Sequence, residues 1–262
     1  MTRYEGEKIT GVSASSAFDV ELVRSDQTKA VVEINEELEE SIQFSLSNDG
    51  IVHISLLPRE FRIFGRQQNR IMKLTVYLSE LSYLQASGAV RISASGNFSA
   101  EHAEILLTGA SELKSLDISA RNIILNSSGA GKATLNATAD TFSVNLSGAA
   151  EATLNIGCRE MEILCSGGTD LDLTGSAEQA NMTAAAASDI DASGFSVKQM
   201  EVAASGASNV RVWAEEQLEA TASSASSIRY KGDPGSIHIR TFSAASVRAM
   251  SNIRQAVSVR HF

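Results

Sequence analysis

The sequence has few of the residues that build ordinary globular cores and disulfide-stabilised domains. Among its 262 residues there are two prolines, two cysteines and one tryptophan, and aromatic residues make up only 5%. Two cysteines cannot supply a disulfide framework or a cysteine-based metal cluster. Because Ala, Ser and Gly are plentiful instead, the composition predicts a regular stack of small side chains.

Long apolar runs are missing as well. No stretch approaches the roughly 20 apolar residues that a membrane-spanning helix needs, and the segment from Met1 to Glu7 lacks the apolar core of a signal peptide. We therefore expect either a cytosolic protein or a mature exported chain whose leader has been removed. A formal net charge of −9 argues against a basic face able to neutralise many phosphates, so no nucleic-acid partner is expected.

What the sequence does contain is a repeat of about 19 residues, marked by a Ser-Gly-Ala corner such as Ser147-Gly148-Ala149. We use the central residue of each copy as the corner residue. Nine copies follow one another at spacings of 18 to 21 residues, with corner residues Gly88, Gly109, Gly129, Gly148, Gly167, Ala186, Gly206, Ser224 and Ser243.

Apolar residues alternate with polar ones on both sides of each corner, as at Met161, Ile163 and Cys165 before Gly167 and at Leu171 and Leu173 after it. A period of two indicates β-strands with one buried face. A unit of about 19 residues cannot bury that face alone, so the copies must stack. The predicted fold is all-β, a right-handed single-stranded parallel β-helix, because the hexapeptide spacing of left-handed forms is absent.

The repeats predict a boundary near residue 80. Residues 81–262 are expected to form the β-helix, and residues 1–80, which lack the corner, a β region that caps its open end. That region contains Asn48-Asp49-Gly50, a strong hairpin turn. Pro58–Arg70 is expected to form a surface loop. The charged residues Arg254, Arg260 and His261 are expected to protect the exposed edge of the final turn.

The corner could also be a site, but its residues fit architecture better. A phosphate loop needs a Gly-Lys-Ser/Thr ending and a nucleophile turn needs Gly-x-Ser-x-Gly; the chain has neither. The six corner glycines are therefore predicted to be structural. Since later corners are Ala186, Ser224 and Ser243, small size is expected to be the main requirement, with the freedom of glycine's backbone secondary. The hydroxyl residues preceding the corners are expected to hydrogen-bond between copies.

Charged residues three and five positions after the corner form the candidate site. Stacking would place Asp172 beside Asp191 with Arg211 next to them, and Asp170 beside Asp189. One interpretation is a divalent-cation site or the acidic centre of a polysaccharide-cleaving β-helix enzyme. The other is a solvated face whose like charges are offset by arginines.

Other candidate ligand-binding residues are few. Trp213 stands at an outward position and, with Tyr230, could stack against a sugar ring. The four histidines show no metal-ligand spacing, and Cys165 lies in an apolar column where a thiol acts as a small hydrophobe. No metal site and no cofactor are expected.

Two stretches, "ITGVSASSAFDVELVRSD" from Ile9 and "LTVYLSELSYLQASGAVRI" from Leu74, together with the recurring Ser-Gly-Ala corners, resemble a known bacterial family. It is the family described as a "putative auto-transporter adhesin head domain", common in Bacteroidetes. The resemblance spans nearly the whole chain and implies a right-handed β-helix, export to the periplasm or the cell surface, and an adhesin-like role. It supplies no catalytic residues.

Three functional hypotheses follow. The first is an exported, non-catalytic solenoid that binds a glycan or a cell-surface protein. The second is a carbohydrate-active enzyme of the pectin-lyase-like type that uses Asp170, Asp172, Asp189, Asp191 and Arg211. The third is a structural scaffold that self-associates into a homo-oligomer. Proximity of those carboxylates, together with a groove and bound Ca²⁺, would favour the enzyme, whereas an unbroken ladder of paired charges on a convex face would favour the adhesin.

Overall fold

A computed structural model describes residues 1–57 and 71–250 of the chain. It is 72% strand and 3% helix. A short 3-10 helix, Glu36–Ser41, is the helical element of the N-terminal part. The strands that surround it are β1 (Thr2–Arg3), β2 (Gly11–Ser16), β3 (Asp19–Arg24), β4 (Lys29–Ile34), β5 (Ile42–Leu46), β6 (Ile51–Leu56) and β7 (Met72–Leu78).

The remaining strands follow the repeat. Four of them run 16 or 17 residues almost from one corner to the next. They are β8 (Tyr83–Gly88), β9 (Arg91–Ser95), β10 (Asn97–Leu107), β11 (Glu112–Leu113), β12 (Asp117–Ser127), β13 (Lys132–Gly148), β14 (Glu151–Gly167), β15 (Asp170–Ala186), β16 (Asp189–Ala204), β17 (Asn209–Ala222), β18 (Ser227–Lys231), β19 (Ser236–Thr241) and β20 (Ser246–Ala249).

Equivalent residues of successive copies pair in parallel. Glu151 is in register with Asp170, and Asp170 with Asp189. At the corners the N–H of Ala149 donates to the carbonyl of Gly129 at 2.7 Å, and that of Gly168 to the carbonyl of Gly148 at 2.8 Å. Each copy is thus one rung of a β-solenoid of about nine turns, which confirms the fold class that the repeat predicts.

Inside the solenoid, equivalent apolar residues lie directly above one another. Val144, Ile163, Met182 and Val202 form one such column, and each of them is at most 2% exposed. Toward the C-terminal rungs a neighbouring column narrows to alanine, at Ala184, Ala204 and Ala222. The interior is therefore narrow, which explains why the composition is poor in large side chains.

The N-terminal strands extend the stack beyond β8 and β9. Strand β2 pairs in parallel with β8, and β3 with β9; β6 and β7 then pair in parallel on the far sides of β2 and β3. Strands β4 and β5 are antiparallel to β7 and β6, and the short strand β1 pairs antiparallel with β4. The hairpin predicted at Asn48-Asp49-Gly50 joins β5 to β6. One corner in this region escapes the sequence pattern: Ser16 is in register with Gly88 and has a φ of 81°.

The prediction that backbone freedom is secondary at the corners was wrong. The six corner glycines have φ between 73° and 98°, and Ala186, Ser224 and Ser243 have φ of 63°, 62° and 58°. All of these values lie in the left-handed region. The chain has to reverse there while the next N–H reaches the carbonyl of the neighbouring corner, and the non-glycine residues accept the strain. Small size matters too, because a Cβ on Gly148 would lie 2.7 Å from the carbonyl oxygen of Gly129.

The hydroxyls that hold the corners are also not the expected ones. Among the described residues, the column that precedes the corner makes one side-chain bond, from Thr108 Oγ1 to the carbonyl of Ala86 at 3.4 Å. Buried serines two positions after the corner bond more strongly, each donating to the carbonyl three residues back at 2.6 to 2.9 Å. They are Ser111, Ser188, Ser208 and Ser226.

Two expectations fall outside the described residues. The surface loop at Pro58–Arg70 is one, and the protective charges at Arg254, Arg260 and His261 are the other.

Candidate functional site

Parallel stacking turns the outward residues three and five positions after each corner into two columns, which we call the charged wall. The first column reads Lys73, Asp19, Arg91, Glu112, Lys132, Glu151, Asp170, Asp189, Asn209, Ser227 and Ser246. The second column includes Thr153, Asp172, Asp191, Arg211, Arg229 and Arg248.

In the N-terminal half of the charged wall, charges of opposite sign alternate. Lys132 Nζ lies 2.6 Å from a carboxylate oxygen of Glu151, and Arg91 lies 3.3 Å from Asp19. Both partners are exposed in each pair, so solvent screens the attraction and each pair contributes little to stability. Their regularity neutralises this half of the wall from rung to rung.

The predicted carboxylate cluster is assembled in the middle of the wall. Asp170 is in register with Asp189, and Asp172 with Asp191. Arg211 extends from the next rung and lies 3.4 Å from carboxylate oxygens of both Asp189 and Asp191. One guanidinium thus bridges two carboxylates, while Asp170 and Asp172 have no cation within 4.0 Å among the described residues.

The electrostatics of the cluster differ from one member to the next. Partial desolvation, followed by the charges of Asp172, Asp189 and Glu151, raises the pKa of Asp170 above its ordinary value. At Asp191 partial burial acts in the same direction. However, hydrogen bonds from Ser193 and the guanidinium of Arg211 outweigh it and hold the pKa below its usual range.

One extra residue in the rung adjoins this cluster. The offset between β15 and β16 changes from 19 at Asp172–Asp191 to 20 at Thr174–Gly194. The added residue lets the N–H of Ser193 donate to the carboxylate of Asp191 at 3.0 Å. Asp191 is thereby held by a backbone donor as well as by Arg211.

Within the described part of the chain, the carboxylates of the cluster are not arranged as a set of metal ligands. Over residues 1–57 and 71–250, no group of three or more His, Cys, Asp or Glu is arranged to hold a metal ion. The two carboxylates nearest to Arg211 are committed to ion pairs. The arrangement can present charge to a ligand, with Arg211 paired to two of the four carboxylates.

The two candidate aromatic residues do not form one platform. Trp213 is half-buried and in register with Lys231, whose Nζ lies 4.2 Å from the centroid of the indole ring. Tyr230 is paired with Val212, a buried residue of the inward column, and packs against the core. One face of Trp213 is therefore covered by a cation, and Tyr230 is partly buried against the core.

The cysteines play no part in a site. Cys165 is fully buried and Cys158 is half-buried, and both are free thiols. Burial raises the pKa of each to about 11. A thiol with such a pKa carries almost no nucleophilic thiolate near neutrality.

A second outward surface, which the sequence analysis did not single out, lies on the later half of each rung. We call it the amide wall, after its column Asn122, Thr141, Glu160, Gln179, Gln199 and Gln217. Asn122 donates to Thr141 at 2.6 Å, and in another column Asn145 donates to Asn126 at 2.8 Å. A depression of about 800 Å³ lies over its first rungs. The recurrence of a polar residue just before the second apolar run of each copy was the signal that could have revealed it.

The fold and these surfaces define the class of protein: a parallel β-solenoid whose outward walls carry in-register polar and charged ladders. Solved structures share the fold. A putative adhesin from Parabacteroides distasonis has a TM-score of 0.72 at 15% identity, covering 95% of this chain and 96% of that one. A putative adhesin from Parabacteroides merdae (0.63, 16%) and a putative lipid binding protein from Parabacteroides distasonis (0.62, 19%) each cover 96% of both chains.

The family is shown by the sequence itself. The model of the family described as "Putative auto-transporter adhesin, head GIN domain" matches residues 8–155 and 136–234, and the chain belongs to this family. No curated protein matches the chain. Within the described residues, no helix has the length and apolar character required to cross a bilayer.

Proposed function

We propose that this protein is an exported, non-catalytic binding module that recognises a glycan or a cell-surface protein through an outward wall of its solenoid. The adhesin-like family supports export and a binding role. The periplasm and the outer cell surface are the compartments in which such a role would be exercised.

The observation that carries the proposal is the unbroken register of the outward columns. From Lys73 to Ser246 the charged wall presents eleven equivalent positions in one line. Strand pairing fixes these side chains about 4.8 Å apart, so the wall is pre-organised for an extended partner. Pre-organisation reduces the entropic cost of binding.

The carboxylate cluster supports binding better than catalysis. A glycosidase needs one acid kept protonated and a second kept ionised across a bound sugar. Here Arg211 bridges Asp189 and Asp191, which commits both carboxylates to ion pairs. This bridge supports the paired-charge interpretation over an enzyme of the pectin-lyase-like type.

Glycan-array binding of the full chain, combined with a screen for polysaccharide degradation, tests the proposal. We expect saturable binding to a defined glycan group or surface protein without any product formation. Cleavage of a uronate polymer that disappears in Asp172→Ala and Asp191→Ala variants would establish the enzyme and contradict the proposal.

A further inference from the structure

The C-terminal rungs carry a charge opposite to that of the rest of the molecule. In the last described positions, 227–250, there are four of the chain's 22 Lys and Arg but only one of its 31 Asp and Glu. From β8 onward the order of residues follows the order of rungs, so the difference is a separation of charge along the solenoid axis. A basic end on an acidic body attracts an anion to one place and repels it elsewhere.

Strand register concentrates this charge in one line. Arg229 and Arg248 continue the column of Arg211 on strands β18 and β20, and both are exposed. Whereas Arg211 is paired with two aspartates, no described carboxylate lies within 4.0 Å of Arg229 or Arg248. Residues 251–262 contain neither Asp nor Glu.

Stacked like charges on neighbouring strands destabilise the fold, and a bound anion would remove that cost. The surroundings of the column provide further ligand groups. On one side lie Ser227 and Ser246, whose hydroxyl oxygens are 3.5 Å apart. On the other side lies Lys231, held against the ring of Trp213.

We propose that Arg229, Arg248 and Lys231, which we call the basic column, bind a short segment of a linear anionic polysaccharide that carries carboxylate or sulfate groups. The inference rests on the proposed binding function and names its ligand class and its site. Guanidinium groups bind such anions through two parallel hydrogen bonds, and the adjacent hydroxyls match those of a sugar.

The length of the ligand follows from the charges around the column. Three rungs, from Arg211 to Arg248, span about 10 Å at the strand spacing. Beyond Arg211 the wall becomes acidic at Asp172 and Asp170, which repels any further stretch of a polyanion. An oligosaccharide of a few units should therefore bind about as tightly as the polymer. Cations in a single line also suit an extended chain better than a lipid surface.

The test is a titration of the full chain with heparin tetrasaccharide and with tetragalacturonate, with neutral dextran oligosaccharides for comparison. We expect at least one acidic oligosaccharide to bind, with an affinity that falls as salt is raised. The double variant Arg229→Gln/Arg248→Gln should weaken this binding at least tenfold. Its melting temperature should be unchanged or higher, because repulsion has been removed.

The matched control is Arg121→Gln/Arg159→Gln, which makes the same change in net charge at exposed arginines that lie outside the charged wall and have carboxylate partners. It should bind within threefold of the unaltered chain. An equal loss in both double variants would overturn the proposal, because the effect would then be one of overall charge.

Two further outcomes separate this inference from the proposed function. Binding of neutral glycans or of a surface protein, with no binding of either acidic tetrasaccharide, would refute the basic column as a polysaccharide site and leave the proposed function intact. Absence of all binding on the array would overturn both. Binding to phosphatidylglycerol vesicles alone, lost in Arg229→Gln/Arg248→Gln, would replace the polysaccharide by a membrane.

Discussion

The left-handed conformation at each corner links a single residue to the whole stack. Glycine accepts it freely, whereas a residue with a Cβ incurs roughly 1–2 kcal/mol. Ala186, Ser224 and Ser243 nevertheless have φ near 60°, because hydrogen bonds between neighbouring corners and buried side chains on both sides fix the turn. The sequence showed where the corners lie but not their backbone conformation. Alanine in place of glycine is compatible both with a left-handed turn and with a turn that is only crowded, so the pattern could not distinguish the two.

Replacing alanine by glycine at one corner and glycine by alanine at another should therefore change the free energy of unfolding in opposite directions. We expect Ala186→Gly to raise the free energy of unfolding by about 0.5–1 kcal/mol, since relief of strain exceeds the added entropy of the unfolded chain. Gly148→Ala should lower it by about 1–2 kcal/mol, because it adds left-handed strain and a Cβ 2.7 Å from the Gly129 carbonyl oxygen. Denaturant titration measures both.

Two positions without a positive φ provide the controls, Ala187 beside a corner and Gly157 in the middle of a strand. Ala187→Gly should destabilise by about 0.5–1 kcal/mol from unfolded-state entropy alone. Gly157→Ala should be neutral or stabilising, since nothing lies within 4 Å of the added Cβ. If Ala186→Gly destabilised as much as Ala187→Gly, strain at the corner would be refuted.

At the scale of the strand, the repeat period alone was sufficient to predict which charged residues meet. Asp172, Asp191 and Arg211 pair as their distance from the corner requires. The extra residue at Ser193 could not be located, because any position between Asp191 and Phe195 could have absorbed the longer spacing of this copy. The covered face of Trp213 was also beyond reach, since it depends on the rotamer of Lys231.

Whether removal of a carboxylate stabilises or destabilises the fold should depend on the charges of its neighbours in the column. Asp170 has a raised pKa in the folded protein, so its ionised form destabilises the fold above that pKa. The cost disappears as the pH falls through that pKa toward 3.8. We expect Asp170→Asn to stabilise by a few tenths of a kcal/mol at pH 7, the small size reflecting solvent exposure. Thermal melts at pH 7 and pH 3 should show the gain only at pH 7.

Glu112→Gln is the matched control in the same column. Its neighbours in register are Arg91 and Lys132, both cations. Removing this carboxylate should therefore destabilise by a few tenths of a kcal/mol at pH 7. If both substitutions changed stability equally, the charges of the neighbouring residues in the column would have no effect on stability.

Over the whole molecule, chain order and spatial order diverge at the N-terminal end. The rung formed by β2 and β3 lies between the rung of β6 and β7 and that of β8 and β9. Its corner, Ser16, is separated from its partner Gly88 by several repeat periods of chain and is not a glycine. A search for a short period therefore could not find it.

We propose that residues 1–80 act as the cap of the solenoid. The antiparallel strands β4 and β5 cover the outer edges of β7 and β6, where an open parallel edge would recruit other chains. Because β2 and β3 are rungs, this cap is continuous with the solenoid and is expected to unfold together with its first turns.

Removal of the cap should make the chain aggregate. A chain beginning at Leu81 would lose the partners of β8 and β9, exposing both backbone edges together with Leu84 and Ile92, which are fully buried in the intact protein. We expect it to elute from size-exclusion chromatography as larger species than the intact chain or to precipitate. Deleting residues 1–3 removes β1 but keeps Tyr4 against Phe44, so that variant should elute as the intact chain does, with a nearly unchanged melting temperature. A monomeric, cooperatively folded chain beginning at Leu81 would disprove the capping role, since the edges of β8 and β9 would then need no cover.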